Sequence, residues 1–355
     1  MCCRSCKRSV GLSGCSDCDS CRYRALAPKS GDGVHTEAIA CGRANQRNPP
    51  LSMTKPSYPH LQQLIDGVKT QTKLGVVYPL SIPALETVAH IVAHQLCIPV
   101  LIGPEEKIQQ LAKDAQINLA GIEIINTSSD PIEAAKKSVQ LTREGVFGAL
   151  MKGSLHTEEL MASVVSRDGL RTQSRISHLF LFDITTYPKL LGISDCVVNI
   201  APDLAQKKHI LRNSLEALER LDIKHAKVAI VAATEVVNPA MPATTDAHAL
   251  VEEHRHDAIY PGALIEGPFG FDNAISAVSA KTKGITSSVS GDPDLILVPD
   301  LQVGNILYKA LVYLGGAECA GVILGASVPI ILTSRSDSIF SRLASTALAL
   351  RLAKN

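Results

Sequence analysis

Four stretches of this chain place polar or charged side chains directly after a short apolar run. That arrangement delivers chemistry to the carboxyl end of a strand. The first is Leu150-Met151-Lys152-Gly153-Ser154, with a helix start at His156-Thr157. The second is Gly267-Pro268-Phe269-Gly270-Phe271-Asp272-Asn273-Ala274. The third runs from Val298-Pro299-Asp300 through Gly304-Asn305 to Lys309. In the fourth, Pro329-Ile330-Ile331-Leu332-Thr333-Ser334-Arg335, an apolar strand ends on a serine and an arginine, and Ser336, Asp337 and Ser338 follow as helix-start residues.

The fourth stretch has a physical use. A helix opening near Ser338 offers unpaired N–H groups and a positive dipole end to a phosphate. Arg335 adds a planar fork able to hold phosphate by two hydrogen bonds. Ser334 brings a hydroxyl and a backbone N–H to a place where an oxyanion can develop. The same residues also suit a surface ion pair and a helix cap, and the pattern is too short to decide between the two. Asp272 and Asn273 either line a cleft or cap the helix that follows. Asp300 and Asn305 sit at a strand–helix junction, and Lys309, one turn beyond Asn305, faces the same way. His248, His254 and His256 form no His-x-x-x-His pair, which predicts a solvated helix face rather than a metal site.

The elements that must hold these residues alternate. Strand-length apolar runs are Val76–Val77, Ile98–Ile102, Ile122–Ile125, Phe147–Met151 and Leu179–Asp183. Further ones are Cys196–Ile200, Val228–Ala232, Leu295–Val298, Gly321–Leu324 and Pro329–Leu332. Helical patterns lie between them. From Leu204 to Leu221, the residues Ile210, Ser214, Ala217, Leu218 and Leu221 fall on one stripe, and Ile82 to Leu96 behaves similarly. Such alternation predicts an α/β fold with mostly parallel sheets. No Gly-x-Gly-x-x-Gly follows a strand, and no cluster of aspartates suggests a divalent metal beside a hydroxy acid. Both observations speak against a nucleotide-linked dehydrogenase.

With 355 residues, of which 46% are apolar, the chain is long enough for two cores. A formal charge of +1 gives no basic field for nucleic acid. No apolar run is long enough to span a bilayer and none marks a secretory leader, so the expected location is the cytoplasm. Cys97, Cys196 and Cys319 sit in apolar surroundings and read as small buried hydrophobes.

Residues 1–52 differ from the rest. They are rich in Cys, Arg, Ser and Gly, lack apolar periodicity, and cannot bury enough surface to offset the entropy of ordering. Cys3-x-x-Cys6 and Cys15-x-x-Cys18-x-x-Cys21 have metal-like spacing, but the gap between the pairs is shorter than common zinc modules use. Met53 opens a stretch that reads as an ordinary start. The segment is expected to be disordered or extraneous, so a chain beginning at Met53 should keep its melting temperature and turnover. Stoichiometric zinc in the full chain, with lost stability on truncation, is the opposite result.

From about Leu74 to the C-terminus the sequence resembles the phosphate acetyl/butyryltransferase family. The resemblance rests on GPFGFDNA, GDPDLILVPDLQVGNILYKAL and PIILTSRSDS, with LMKGSLHT and VNPAMPATTDA in support. It implies a two-domain, three-layer α/β fold similar to the isocitrate/isopropylmalate dehydrogenase type, with an interdomain cleft. Residues 53–185 and 322–355 would form the first domain and 186–321 an inserted second one. It further implies a homodimer, no cofactor or metal, and transfer of an acetyl, butyryl or similar acyl group between coenzyme A and inorganic phosphate, with acyl phosphate as the other product. Neither nucleic acid nor membrane is implied as a partner.

By position, Ser334 and Arg335 match the family's catalytic Ser-Arg pair. In the family's mechanism the coenzyme A thiolate attacks the acyl-phosphate carbonyl in a ternary complex, which implies that Arg335 holds the phosphate and Ser334 bonds the carbonyl oxygen. Lys152, Arg175, Asp272, Asp300, Asn305, Lys309 and Asp337 are the expected cleft residues. The family's acetyltransferases carry an aspartate six residues after that arginine, where this chain has Ser341. The departure leans toward the butyryltransferase side or toward the related domains fused to enoyl-CoA hydratase-like modules. It also admits a non-catalytic coenzyme A-binding protein.

Overall fold

The computed structural model describes residues 57–257, 260–332 and 337–353. The strands are β1 (Lys73–Val77), β2 (Ile98–Gly103), β3 (Glu123–Asn126), β4 (Ala149–Lys152), β5 (Ser177–Asp183) and β6 (Leu191–Ser194), then β7 (Lys227–Val231), β8 (Leu264–Phe269), β9 (Leu295–Leu297), β10 (Glu318–Leu324) and β11 (Ile330–Ile331). They form one sheet in the order β3-β2-β1-β4-β11-β10-β5-β6-β9-β7-β8. The helices are α1 (Pro59–Asp66), α2 (Ile82–Ala93), α3 (Glu105–Asp114), α4 (Pro131–Arg143), α5 (Thr157–Val164) and α6 (Leu204–Arg220), then α7 (Pro242–His256), α8 (Phe271–Ile275), α9 (Ala277–Thr282), α10 (Leu301–Tyr313) and α11 (Ile339–Leu352).

Alternation along the strands gives the sheet two apolar faces, each covered by helices, so the fold has three layers. Leu179 and Leu181 of β5 face a core shared with α1, α2, α3, α6, α7 and α11. Phe180 and Phe182 face the other side, toward Tyr308 of α10. Farther along that second side, Val77, Leu150 and Ile330 pack under α4 and α5. The helices start where capping chemistry allows. At α6, the Asp203 carboxylate accepts from the Gln206 N–H and the Gln206 side chain answers at the Asp203 N–H.

The sheet is mostly parallel, as the alternation predicts, with seven parallel pairings and three antiparallel ones among the described residues. β5 pairs antiparallel with both β10 and β6, and β10 pairs antiparallel with β11. Consequently β1, β2, β3, β4, β11 and β5 run one way, while β10, β6, β9, β7 and β8 run the other. β11 lies between β4 and β10 and pairs with none of β6, β7 or β9.

Two strand expectations need correction. Cys196–Ile200 is not a strand, because the sheet strand there is β6, ending at Ser194. The reason is local: the Asp195 carboxylate accepts from the N–H groups of Val197 and Val198, so those donors go to a side chain instead of a ladder. Conversely, β8 is a strand that Gly267-Pro268 hides. Gly267 has φ 155, and the β7–β8 register shifts between Ala229 and Val231. The histidine expectation changes too. His248 and His256 are exposed, but His254 places Nε2 3.0 Å from the Ala263 carbonyl.

Cys97, Cys196 and Cys319 are buried, and burial raises all three thiols, Cys97 to about 12. Among the described residues, no helix is long and apolar enough to cross a membrane, and no group of His, Cys, Asp and Glu is placed to hold a metal ion. The Cys-rich segment lies outside the described residues.

Candidate functional site

Two strand-end edges of the sheet carry the candidates. The carboxyl ends of β4 and β11 share one edge. There the pairing of Leu150 with Ile330 and Met151 with Ile331 brings Lys152 level with Leu332. Leu332 leads straight into Thr333–Ser336. Ser334 and Arg335 lie outside the described residues. The Lys152 ammonium donates to the carbonyls of Gly153 and Leu155, curling the turn after β4. That turn requires glycine, since a Cβ at Gly153 would come within 2.5 Å of the Val77 and Tyr78 carbonyl oxygens.

Past the Ser-Arg segment, α11 is capped by Ser338, whose hydroxyl accepts from the Ser341 N–H. Asp337 is therefore not the cap. One of its carboxylate oxygens stands 3.4 Å from the Tyr308 hydroxyl. Ser341 is buried. Its hydroxyl bonds the Glu318 carboxylate and accepts from the Cys319 N–H at 3.3 Å.

The carboxyl ends of β8 and β9 leave the sheet at the opposite edge, as does the amino end of β5. Asp300 caps α10 by accepting from the Val303 N–H, and Asn305 donates to the Cys196 carbonyl. Asp272 sits inside α8, whose cap position is Gly270. Its carboxylate accepts from the Ser279 hydroxyl and pairs with Lys283 at 3.3 Å. The Ser279 hydrogen bond, followed by the Lys283 interaction, holds that carboxyl below its usual range. The neighbouring Asn273 is fully buried and donates to Glu235. Arg175, two residues before β5, donates from Nε to the Asn199 side-chain oxygen.

The structure thus gathers Lys152, Leu332 and Asp337 around one edge and Arg175, Asp300 and Asn305 around the other. Asp272 follows β8, the outermost strand of its half, and stands apart from both groups. α10 links the edges, for it starts at Asp300 and carries Tyr308 to Asp337. The Tyr308 ring stacks on Phe180, with centroids 4.4 Å apart, and Lys309 is exposed with its ammonium 5.6 Å from that tyrosine ring.

Sequence reasoning passed over His178. It is fully buried on β5, its ring centroid is 4.3 Å from that of Phe180, and neither ring nitrogen has a hydrogen-bond partner among the described residues. Burial lowers its pKa to about 4 against the opposing pull of Asp195. A histidine within an apolar strand run gives no signal of this kind.

A family model described as "Phosphate acetyl/butaryl transferase" matches residues 132–350. A phosphate acetyltransferase from Rickettsia felis is 44% identical over 80% of this chain and 81% of its own length. A probable phosphate butyryltransferase from Bacillus subtilis is 39% identical over 70% of this chain and 83% of its own. Among solved structures, a branched-chain phosphotransacylase from Enterococcus faecalis superposes with a TM-score of 0.69 at 28% identity, covering 79% of this chain and 98% of that one. A family match across more than half of the sequence, joined to relatives of this identity and coverage, establishes that the chain belongs to the phosphate acetyl/butyryl transferase family.

Proposed function

We propose that this enzyme moves a short acyl group between coenzyme A and inorganic phosphate. The observation that carries the reading is the β4–β11 register. It sets the Lys152 turn level with Leu332, which Ser334-Arg335 follow in sequence, and Ser338 caps the helix beyond them. In the acyl-phosphate direction the thiolate sulfur attacks the carbonyl carbon. The C–S bond forms as the bond from carbon to the phosphate oxygen breaks, and phosphate leaves with the bonding pair. Arg335 holds the departing phosphate, and Ser334 donates to the carbonyl oxygen as it gains charge. A thiol with a pKa of about 8.5 needs help to ionise at neutral pH. Asp337, which is not the helix cap, is the carboxylate assigned to take that proton.

Several further features belong to this reading: the division of residues 53–355 into two lobes at 185/186 and 321/322, the resemblance to the isocitrate dehydrogenase-type architecture, the homodimer, the cytoplasmic setting and the lack of any cofactor. Acyl-chain length is open between acetyl and butyryl, since each methylene shifts pocket binding by only about 0.8 kcal/mol.

The test is thiol release from acetyl-CoA and butyryl-CoA with and without phosphate. Phosphate-dependent release is expected, and the preferred chain length identifies the acyl group. Release that ignores phosphate, or no release from a folded protein, defeats the reading.

A further inference from the structure

Arg175 is held unusually firmly for an exposed arginine. Its Nε donates to the Asn199 side-chain oxygen, and no other side-chain partner of its guanidinium occurs among the described residues. Asn199 is 4% exposed and its amide has one possible orientation. The NH2 group donates to the Asp195 carboxylate at 2.6 Å and to the Ile176 carbonyl at 3.0 Å, which leaves the oxygen for Arg175. Asp195 is fixed in turn. It is 3% exposed and also accepts from the backbone N–H groups of His178, Val197 and Val198.

The backbone is pinned as well. The Asn213 amide of α6 donates to the Arg175 carbonyl at 2.7 Å and to the Ser177 hydroxyl at 2.8 Å. Gly325, at φ +83 in the β10–β11 hairpin, packs so close to that carbonyl that no Cβ fits there.

A guanidinium fixed through Nε keeps its two terminal amino groups parallel and, among the described residues, without a side-chain partner, which is the geometry that grips a phosphoryl or carboxylate group at two oxygens. Holding a flexible side chain in one place removes ordering cost from the binding step. A buried carboxylate–amide pair behind the guanidinium is an elaborate arrangement for an arginine that only meets solvent.

We propose that Asn199, oriented by Asp195, is a positioning residue that aims the Arg175 fork at a phosphoryl group of the substrates. The inference rests on the transacylase reading, whose substrates carry such groups at two places, on inorganic or acyl phosphate and on coenzyme A itself.

The experiment measures kcat and KM for phosphate and, separately, for acetyl-CoA and its 3′-dephospho analogue. The proteins are wild type, Arg175→Ala, Arg175→Lys, Asn199→Ala and the Arg175→Ala/Asn199→Ala double variant, with melting temperatures alongside. Asn199→Ala should raise one KM by about 10- to 100-fold, the loss expected for a hydrogen bond to a charged group, while kcat moves little. In the Arg175→Ala background the same change should add almost nothing, because both act through one fork. Arg175→Lys keeps the charge but loses the Nε donor and should resemble Arg175→Ala, which tests the idea even if Asn199→Ala folds poorly. The KM that moves identifies the phosphoryl group. A rise for phosphate points to the transferred group. A rise for acetyl-CoA that is absent with the dephospho analogue points to the 3′-phosphate, and one that persists points to the diphosphate. Multiplicative effects, a normal KM in folded Asn199→Ala, or a normal KM in Arg175→Lys would overturn the proposal. Normal kinetics in Arg175→Ala would overturn it too, yet wild-type phosphate-dependent turnover would still stand as the measure of the transacylase reading.

Discussion

Arg335→Ala is expected to lower turnover about 100- to 1000-fold while the protein stays folded, the loss typical of removing a donor that acts on charge developing in the transition state. Arg335 follows Leu332, which the sheet sets level with Lys152, and precedes a helix whose first N–H groups favour an anion. Its contribution is both charge and shape. Arg335→Lys retains the first and loses the two-pronged grip, so it should recover only part of the turnover. Ser334→Ala should cost less, because a backbone N–H remains available to the oxyanion. A structural salt bridge at Arg335 makes a different forecast: a lower melting temperature with near-normal turnover of the folded fraction. Measuring both quantities on the same preparations separates the two, and a well-folded Arg335→Ala enzyme with near-normal phosphate-dependent turnover removes Arg335 from the chemistry.

The second large effect concerns acid stability. His178 binds its proton only near pH 4 in the folded protein, whereas an unfolded histidine does so near pH 6.5. Between those values the unfolded chain holds more protons than the native one, so stability falls as pH drops through that window. The penalty is absent above about pH 7 and grows to a few kcal/mol, on the order of 1.4 kcal/mol per unit, as pH falls toward 4. His178→Phe removes the titration and keeps a ring against Phe180. Because neither imidazole nitrogen has a partner among the described residues, the exchange strands no other group. Urea midpoints at pH 7.5 and pH 5 should therefore lie closer together in the variant than in the parent. An unchanged gap would assign the acid sensitivity to other groups.

Which features were legible in the sequence follows from where the backbone donors go. Runs such as Leu179–Asp183 and Leu295–Val298 read correctly as strands because their N–H groups enter the ladder and their side chains meet apolar faces. Cys196–Ile200 has the same composition but spends two donors on the Asp195 carboxylate, so a strand-like run becomes a turn. That turn carries Asn199 to Arg175, and the support for a candidate site residue was thereby concealed inside a supposed strand. Asp300 is legible as a strand–helix junction residue but reads toward the cleft, and its capping of α10 emerges only from hydrogen bonds. Likewise, Asp337 is not distinguishable from Ser338 as the cap of α11 until hydrogen bonds identify the serine. The split of candidates between two sheet edges depends on β5 reversing direction against β6, a pairing that no local pattern announces.

The place of β11 in the sheet has a consequence for biosynthesis. β4 has β1 on one side from early in the chain, but its other neighbour, β11, is the last of the described strands to be made. Throughout translation of the intervening residues, the inner edge of β4 is left without its native partner, and the apolar faces that α11 will cover stay bare. An open edge beside uncovered apolar surface invites pairing with other chains. The centre of the sheet is thus joined only after β11 has been made, and chains cut short before Ile330 leave the ribosome with β4 and β10 unjoined.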